Sequence, residues 1–389
     1  MHKKVLILGG GFAGVEAAIN LQKKKLFDVT LVSDRDYLFL YPTSIWIPTR
    51  AATFKQTSIN LFEIQQAYGF NLIIDSVKEI KSSENKVICT KNQLIYDYLI
   101  VAVGAEKIAH KGIEHTFSIC GNPESSLALR DKLDELTAKG SGKIAIGFGG
   151  NPKDASAVRG GPAFEIMFNI RHLLKKKNLL NNFELTFFAP MQEPGVRMGK
   201  KALSTVNKMF DLYRINRRYG KKIKYFAEHG VVFEDDSVLE SDLTMFIAGS
   251  AGNSILQNSD LPLNDAGFVI INDSGIVPGT GNVYAAGDVA AIGGPEWRAK
   301  QGHMAEVMAR NAVFNIIKAE EGSTERKGYL EHISILCIMD TGNGAAFVYR
   351  GRKHNFVVPL PILGHWLKQG WGRYTKLTKT GKIPRIPGL

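Results

Sequence analysis

The fold is decided by the stretch KKVLILGGGFAGVEAAINLQ, residues 3–22. The apolar run Val5 to Leu8 predicts a short buried strand, and apolar residues that recur at helical spacing from Phe12 onward predict an amphipathic helix. A second apolar run, Val29 to Val32, follows that helix. Strand, helix and strand together span about thirty residues, which is the size of a βαβ unit. The sequence therefore predicts an α/β fold.

The turn between the first strand and the helix is rich in glycine, in the pattern G-x-G-x-x-G. The first glycine of such a pattern makes a tight turn, the second lets the backbone approach a pyrophosphate, and the third lets the helix pack on the strand. The pyrophosphate then lies at the helix N-terminus, where free N–H groups favour an anion. After the second strand, either Ser33 or Asp34 is placed to accept the ribose hydroxyls. The predicted dinucleotide contacts are thus Gly9, Gly11, Phe12, Ala13, Gly14, Ser33 and Asp34.

The composition is that of a globular protein of two or three domains. Of the 389 residues, 44% are hydrophobic and 22% are charged, which excludes a disordered or fibrous chain. No stretch reaches the roughly 18 to 20 apolar residues of a spanning helix. The N-terminus mimics a signal peptide, but Glu16 interrupts its apolar run, so we interpret it as mature protein. The cysteines Cys89, Cys120 and Cys337 are too widely spaced for a disulfide scaffold or a CxxC metal pair, and we expect reduced or catalytic thiols.

Positive charge is concentrated at the C-terminal end. The formal charge is +12, and residues 341–389 contain nine Lys and Arg but no Asp or Glu. Apolar residues there have helical spacing, and basic residues lie off that stripe, which predicts a helix lying in the interface of an anionic membrane. Packing on its own domain or on a second copy is the next interpretation. Nucleic-acid binding is disfavoured, because no nucleic-acid motif accompanies the charge. The stripe is Ile362, Leu363, Trp366, Leu367, Trp371 and Tyr374, and the flanking bases are Lys368, Arg373 and Lys376.

Three motifs together resemble the flavoprotein disulfide reductase superfamily, whose members have two dinucleotide-binding domains. They are the glycine turn Gly9 to Gly14, the apolar strand Tyr98 to Gly104, and the Tyr-Ala-Ala-Gly-Asp sequence that ends at Asp288. The resemblance implies FAD as the cofactor, with Gly104 beside it and with Gly287 and Asp288 at the ribityl or pyrophosphate part of the flavin.

The resemblance also implies the domain organisation. We expect two Rossmann-like dinucleotide-binding domains and a C-terminal membrane-interface segment. The FAD-binding domain would comprise residues 1–105 and 265–325, the second Rossmann-like domain residues 106–264, and the segment with the amphipathic basic helix residues 326–389.

Further segments resemble one branch of that superfamily: sulfide:quinone oxidoreductase, flavocytochrome c sulfide dehydrogenase and type II NADH dehydrogenase. Residues 36–42 resemble a proline loop beside the flavin, which implies a contact from Pro42. Residues 118–120 and 335–340 resemble two cysteine segments of the sulfide enzymes, and residues 299–302 resemble a lysine segment at the flavin and quinone.

The same resemblance supplies the catalytic candidates. Cys337 would be a thiolate that carries a persulfide, which requires a lowered pKa, unless it is a small buried hydrophobe. Cys120 would store sulfur or bond to the flavin, or be a thiol without a chemical role. Glu165 would accept a proton near the flavin from the start of a helix whose dipole favours its carboxylate, or be only a helix N-terminal carboxylate. Lys300 would stabilise a reduced flavin or a quinone oxygen by its charge, or be a solvated lysine.

Two departures from the branch limit the choice of electron donor. Around Gly-Pro-Ala-Phe-Glu165, Val158 or Arg159 stands where the sulfide enzymes have a cysteine, so the redox pair is incomplete and Arg159 is a candidate to bind an anionic substrate. In the second nucleotide turn, Pro152 replaces a glycine, and no acid follows the strand that ends at Ala189. The second domain therefore looks remodelled away from NADH.

The sequence thus predicts a peripheral, monotopic cell-membrane enzyme that uses FAD to pass two electrons from a small sulfur donor to quinone. The partners would be quinone, the sulfur donor and anionic lipid, with no nucleic acid; a homo-oligomer is possible. Two rivals are a type II NADH:quinone dehydrogenase and a flavoprotein subunit that docks an electron-carrying protein.

Overall fold

The computed structural model of the protein describes residues 2–120 and 123–386. Residues 1, 121–122 and 387–389, which belong to the predicted FAD-binding domain, second domain and C-terminal segment respectively, lie outside the described residues. The helices are α1 (Phe12–Gln22), α2 (Leu61–Tyr68), α3 (Pro123–Lys139), α4 (Gly161–Lys176), α5 (Lys200–Tyr213), α6 (Gly302–Glu320) and α7 (Leu363–Lys379).

The strands, in chain order, are β1 (Lys3–Leu8), β2 (Phe27–Ser33), β3 (Tyr37–Phe39), β4 (Ser58–Asn60), β5 (Asn71–Ile74), β6 (Val77–Lys81), β7 (Lys86–Cys89), β8 (Gln93–Ile95), β9 (Tyr98–Val101), β10 (Ala105–Lys107), β11 (Gly142–Phe148), β12 (Phe183–Ala189), β13 (Asn216–Tyr219), β14 (Ile223–Ala227), β15 (Gly230–Phe233), β16 (Val238–Glu240), β17 (Leu243–Ile247), β18 (Ser250–Gly252), β19 (Val269–Ile270), β20 (Val283–Ala285), β21 (Ala290–Ala291), β22 (Ile335–Asp340), β23 (Gly344–Arg350) and β24 (Asn355–Pro361).

The first sheet is parallel and has the order β20-β9-β1-β2-β5. Its centre is the predicted strand–helix–strand unit, in which Val5 of β1 pairs with Val29 of β2. Strand β2 extends one residue further than its apolar run, because Ser33 is buried and pairs with Ile74 of β5. Asp34, rather than Ser33, is therefore the first residue after the strand.

The second sheet is also parallel, in the order β13-β12-β11-β17. Its core is aromatic: the rings of Phe164 in α4 and Phe187 in β12 stack with centroids 4.6 Å apart. Two parallel sheets with helices packed on them confirm the predicted α/β class with two Rossmann-like units.

The C-terminal part forms an antiparallel sheet, β22-β23-β24, followed by helix α7. The sheet and helix close back on the rest of the chain: a Cβ at Gly364 would lie 2.5 Å from the Cβ of Ala345, so α7 starts in close contact with β23. Among the described residues, no helix combines the length and the apolarity that crossing a membrane requires.

Candidate active site

The glycine turn after β1 has the geometry that a bound pyrophosphate needs. Gly9 has φ +111°, and side chains at Gly9 and Gly14 would overlap the carbonyl oxygens of Ala102 and Gly9 respectively. At Gly11, in contrast, an added Cβ would meet nothing within 4 Å. The second glycine thus leaves an open backbone surface, as the fingerprint predicts.

Helix α1 begins at that open surface. Its N-cap is Gly11, which supplies no side-chain cap, so the first backbone N–H groups of the helix are left for an anion. Asp34 is 70% exposed beyond β2, whereas the Ser33 hydroxyl donates to the carbonyl of Arg35 at 2.6 Å. Of the two residues expected at the ribose, Asp34 is the one whose polar atoms are available. These residues fit FAD.

The structure brings Gly287 and Gly302 to this turn. A Cβ at Gly287 would lie 3.2 Å from the Cβ of Ala13, and one at Gly302 would lie 3.5 Å from the ring of Phe12. Gly104 has φ +74° and, like Gly11, an open surface. Pro42 lies in a short 3₁₀ helix, Tyr41–Trp46.

The second nucleotide turn is different. Strand β11 ends at Phe148, but α4 begins only at Gly161, and the residues between them form a loop that covers the backbone. A Cβ at Gly150 would lie 2.7 Å from the Val158 side chain. Strand β12 is followed by Pro190 without an acid, as noted in the sequence. No glycine directly next to the end of β11 has an open surface, and the helix begins only at Gly161, after the intervening loop.

Arg159 reaches from that loop to the first domain, where its guanidinium forms an ion pair with the Asp288 carboxylate. Arg159 therefore stands against a predicted flavin residue. Lys300 lies nearby and is 5% exposed: its ammonium donates to the Ala290 carbonyl and lies 3.7 Å from the centroid of the Phe268 ring. Burial lowers the pKa of Lys300 to about 7. The interpretation of Lys300 as a solvated lysine is wrong.

Cys337, Glu165 and Lys368 come together from three elements: β22, α4 and α7. The Glu165 carboxylate accepts hydrogen bonds from the Lys368 ammonium and, at 2.8 Å, from the backbone N–H of Asp340. Burial raises the pKa of Glu165, against the opposing charge of Lys368. The expectation that the helix dipole favours this carboxylate is wrong, because Glu165 lies beyond the first turn of α4 and burial outweighs the dipole.

The surroundings of Cys337 do not lower its pKa, as a reactive thiolate was expected to require. Burial, and then the charge of Glu165, raises the pKa of the half-buried Cys337 thiol to about 12. Its deprotonation therefore needs a proton acceptor, and Glu165 is the adjacent carboxylate. Cys120 is buried against the same apolar core, with Lys107 donating to its backbone carbonyl. Cys89 is buried in the core of the first domain, away from both.

Several residues of this region were missed by sequence reasoning. Lys368 was expected to face lipid, but it is 5% exposed and paired with Glu165. Asp340 is fully buried and binds His365 of α7, with 2.6 Å between Asp340 Oδ2 and His365 Nδ1. The His365 ring packs edge-on against Trp46, with centroids 5.6 Å apart. The position of Lys368 on the face of α7 opposite the exposed stripe was the available sequence signal that this lysine is buried.

Only part of the predicted apolar stripe of α7 is exposed. Trp371 and Tyr374 pack inward, and the Tyr374 hydroxyl accepts from the backbone N–H of Ile386 at 2.7 Å. The remaining exposed apolar face lies on β24 and the first turns of α7: Phe356, Val358, Ile362, Leu363, Trp366 and Leu367. We call these six residues the apolar face.

Comparison with known proteins shows which family and which relatives the chain resembles. A family model described as pyridine nucleotide-disulphide oxidoreductase matches residues 3–312. The chain is 26% identical to the sulfide-quinone reductase of Aquifex aeolicus, over 96% of this chain and 90% of that protein. It is 22% identical to a type II NADH:quinone oxidoreductase of Staphylococcus epidermidis, over 90% of each. The crystal structure of the Aquifex aeolicus sulfide:quinone oxidoreductase superposes with a TM-score of 0.87 at 23% identity, covering 97% of this chain and 92% of that one.

Proposed function

The chain belongs to the pyridine nucleotide-disulphide oxidoreductase family and is an FAD-dependent oxidoreductase, and we propose that it passes two electrons from a sulfide-type donor to membrane quinone. The observation that carries the proposal is the meeting of Cys337, Glu165 and Lys368 below the apolar face. A thiol beside a carboxylate with a raised pKa suits a sulfur donor. The apolar face suits a hydrophobic acceptor.

The proposed reaction oxidises hydrosulfide and reduces quinone. Hydrosulfide loses two electrons and its proton, and its sulfur leaves bonded to further sulfur as polysulfide. Quinone takes up the two electrons and two protons to become quinol, so one proton is consumed overall. FAD, when bound, supplies the two-electron carrier between donor and acceptor. Cys337 would bind the sulfur, and Glu165 would take the thiol proton because burial raises its own pKa toward neutrality.

NADH is disfavoured as donor by the covered second turn. A dinucleotide needs backbone access at a glycine and a helix N-terminus for its pyrophosphate, and Val158 and the loop before α4 occupy that place. At the domain boundary the Arg159 guanidinium is paired with the Asp288 carboxylate, so the pair itself carries no net charge.

The test is anaerobic titration of the purified protein, followed by flavin absorbance near 450 nm, a wavelength typical of oxidised flavin. Sulfide should bleach the absorbance, and a short-chain quinone should restore it; NADH at the same concentration should not bleach it. Rapid bleaching by NADH alone would instead support the type II NADH:quinone dehydrogenase function.

We also propose that the apolar face docks on an anionic bilayer. The C-terminal part of the chain also carries exposed cations, Arg352, Lys353, Arg373 and Lys382, which complement anionic headgroups. Trp366, 64% exposed, is suited to the headgroup level. Quinone dissolved in the bilayer would then reach the site without crossing water.

Point substitutions test this docking better than removal of the tail, because deleting residues 361–389 would also leave the buried Glu165 without Lys368. The double variant Trp366→Ser with Leu367→Ser should weaken binding to phosphatidylglycerol-containing vesicles by about tenfold or more, since each side chain contributes ~1.5–3 kcal/mol when buried. Ile95→Ser, which removes an equally exposed apolar residue from β8, is the control. Equal sedimentation of both variants with vesicles would contradict the proposal.

A further inference from the structure

His365 lies where the apolar face meets the buried interior. Its side chain is 18% exposed, between exposed Leu363 and Trp366 along α7, while its Nδ1 is 2.6 Å from Oδ2 of Asp340. Asp340 is itself held in place: its Oδ1 accepts from Asn169 Nδ2 at 3.0 Å and from the backbone N–H of Gly342 at 2.9 Å. The imidazole is therefore fixed by a carboxylate that cannot reorient.

The second ring nitrogen of His365 has Gln369 as its partner. Its Nε2 lies 3.0 Å from the side-chain amide nitrogen of Gln369, which donates only, so the neutral ring carries its hydrogen on Nδ1 and accepts at Nε2. Burial alone would raise the pKa of Asp340, but the hydrogen bond from His365 and its charge hold that pKa below its usual value.

Trp46 adds a second observation at the same place. It is 3% exposed, and its indole Nε1, which can only donate, has no acceptor among the residues that the structure describes. Buried donors are normally paired. The ring lies between His365, 5.6 Å away, and the Lys368 ammonium, 5.9 Å from its centroid. Trp46 also ends the 3₁₀ helix that contains Pro42, the predicted neighbour of the flavin.

From this geometry we propose that His365, positioned by Asp340, is the acid that protonates the quinone, and that the Trp46 indole N–H donates a hydrogen bond to a quinone carbonyl oxygen. The inference rests on the proposed quinone reductase function. Quinone receives two electrons and one proton from the reduced cofactor, and the second proton moves from His365 Nε2 to a quinone oxygen that takes the place of the Gln369 amide. The neutral imidazole is then recharged by a proton from water.

Other titratable groups face the pair and bear on any pH dependence. His172 and Lys176 approach from α4, and Lys368 lies one turn along α7 from His365. Burial lowers the pKa of His172, with the nearby Lys176 and His365 acting in the same direction. A pH effect must therefore be assigned by substitution of His365 itself.

The experiment compares two oxidants on dithionite-reduced holoenzyme in a stopped-flow instrument. A short-chain ubiquinone takes electrons and protons, whereas ferricyanide takes electrons alone. His365→Gln should slow reoxidation by the quinone about 100-fold, as expected for loss of a general acid. Reoxidation by ferricyanide should stay within about twofold of wild type. His332→Gln, at an exposed histidine outside the site, is the matched control.

The pH profile adds a readout that a packing role for His365 would not change. Reoxidation of the wild type by quinone should slow as pH rises, and His365→Gln should lack that decline. Equal quinone rates and pH profiles in His365→Gln and wild type would overturn the inference. Failure of quinone to reoxidise the wild type would instead overturn the proposed function.

Trp46→Phe provides an independent variant if His365→Gln does not fold. It keeps an aromatic ring against His365 but removes the N–H. The loss of one hydrogen bond should raise the KM for quinone about five- to tenfold with little change in kcat. An unchanged KM would remove Trp46 from the proposal.

Discussion

Glu16 and Glu165 occupy the same position in the two Rossmann-like units. Each is the fifth residue of the helix that follows the first strand of its sheet, each is buried, and each is paired with a lysine of α7. The two lysines, Lys368 and Lys379, are eleven residues apart, which places them on one face of a helix three turns apart. The tail helix thus binds both domains through equivalent glutamates.

The two glutamates differ in their other partners. Glu16 also accepts from Arg310 at 2.8 Å and from Arg385 at 2.5 Å, while Lys379 is shared with Glu306. Burial alone would raise the pKa of Glu16, but these cations lower it to about 2. Among the described residues, Lys368 is the cation that forms an ion pair with Glu165, and burial raises the pKa of Glu165.

This difference separates a structural carboxylate from a chemical one. With three cations around it, Glu16 stays ionised at any physiological pH and fixes the tail to the FAD-binding unit. With Lys368 as its paired cation and a thiol beside it, Glu165 is the carboxylate for which we expect a chemical role. The glutamate at the same helix position thus attaches the tail helix in the first unit, and in the second unit it lies beside Cys337.

The largest effect is expected where the two units differ most, at the second glycine of the turn. Gly11→Val should place a branched side chain where the pyrophosphate lies and yield protein without flavin, because the backbone surface is otherwise open. Gly370→Ala, at another glycine with nothing within 4 Å, should purify with full flavin. The measurement is the ratio of flavin to protein absorbance; full occupancy in Gly11→Val would contradict the assignment of the cofactor to this turn.

The next effect concerns the thiols of the second unit. Cys337→Ser should abolish bleaching of the flavin by sulfide, because a hydroxyl does not form a persulfide. Cys120→Ser should do the same if Cys120 resolves the persulfide, since thiol exchange needs a second sulfur nucleophile. An unchanged rate in Cys120→Ser assigns that role to an external thiol or polysulfide.

Cys89→Ser is the control for these variants, since Cys89 is buried in the other core. Wild-type rates in both Cys337→Ser and Cys120→Ser would rule out the cysteine mechanism. A donor held by the charges of Arg159 and Glu165 would then be the better hypothesis.

The comparison of the two glutamates predicts a split between rate and stability. Glu165→Gln should slow sulfide-driven flavin reduction about 100-fold by removing the proton acceptor. Glu16→Gln should leave that rate within about twofold, because Glu16 belongs to the attachment of the tail. Equal rates for the two variants in anaerobic stopped-flow would break the distinction.

Glu16→Gln should lower the free energy of unfolding by about 3 kcal/mol at pH 7, since its pKa falls from 4.5 to about 2. A carboxyl with a depressed folded-state pKa stabilises above its unfolded pKa and loses that contribution as pH falls through its folded pKa. The difference between wild type and variant, measured by urea unfolding, should therefore shrink between about pH 4.5 and pH 2. A difference independent of pH would show that lost packing, and not charge, is responsible.

Local sequence patterns predicted both Rossmann-like units and the glycine turn of the first, but not the partners of Glu165 in the second, for a physical reason. The roles of Gly9, Gly11 and Gly14 depend on neighbours within a few residues and on β9. The glycine motif alone is therefore enough to predict the geometry of the turn. The partner of Glu165 is Lys368, 203 residues away along the chain, and no local pattern links them. The raised pKa of Cys337 likewise arises from burial among three separate segments.

The tail helix shows the same limit on a smaller scale, because glycines within a helical pattern indicate by themselves only a lower helix propensity. Gly364 and Gly372 instead allow close packing: a Cβ would lie 2.5 Å from the Ala345 Cβ at the first and 3.1 Å from Thr43 Cγ2 at the second. The spacing that brings α7 against the Pro42 segment thus depends on a missing side chain, which becomes evident only in the folded protein.

Gly370 has no such packing role, and it gives the smallest predicted effect. It lies in the middle of α7, and an added Cβ would meet nothing within 4 Å. Gly370→Ala should raise the free energy of unfolding by ~0.5–1 kcal/mol, because alanine loses less backbone entropy in a helix. Gly372→Ala is the matched comparison: it gains the same propensity but presses on Thr43, so it should stabilise less or destabilise. Equal gains in the free energy of unfolding for both variants, measured with urea, would mean that α7 does not depend on close contact with the Tyr41–Trp46 segment. Gly372 would then have no packing role that distinguishes it from Gly370.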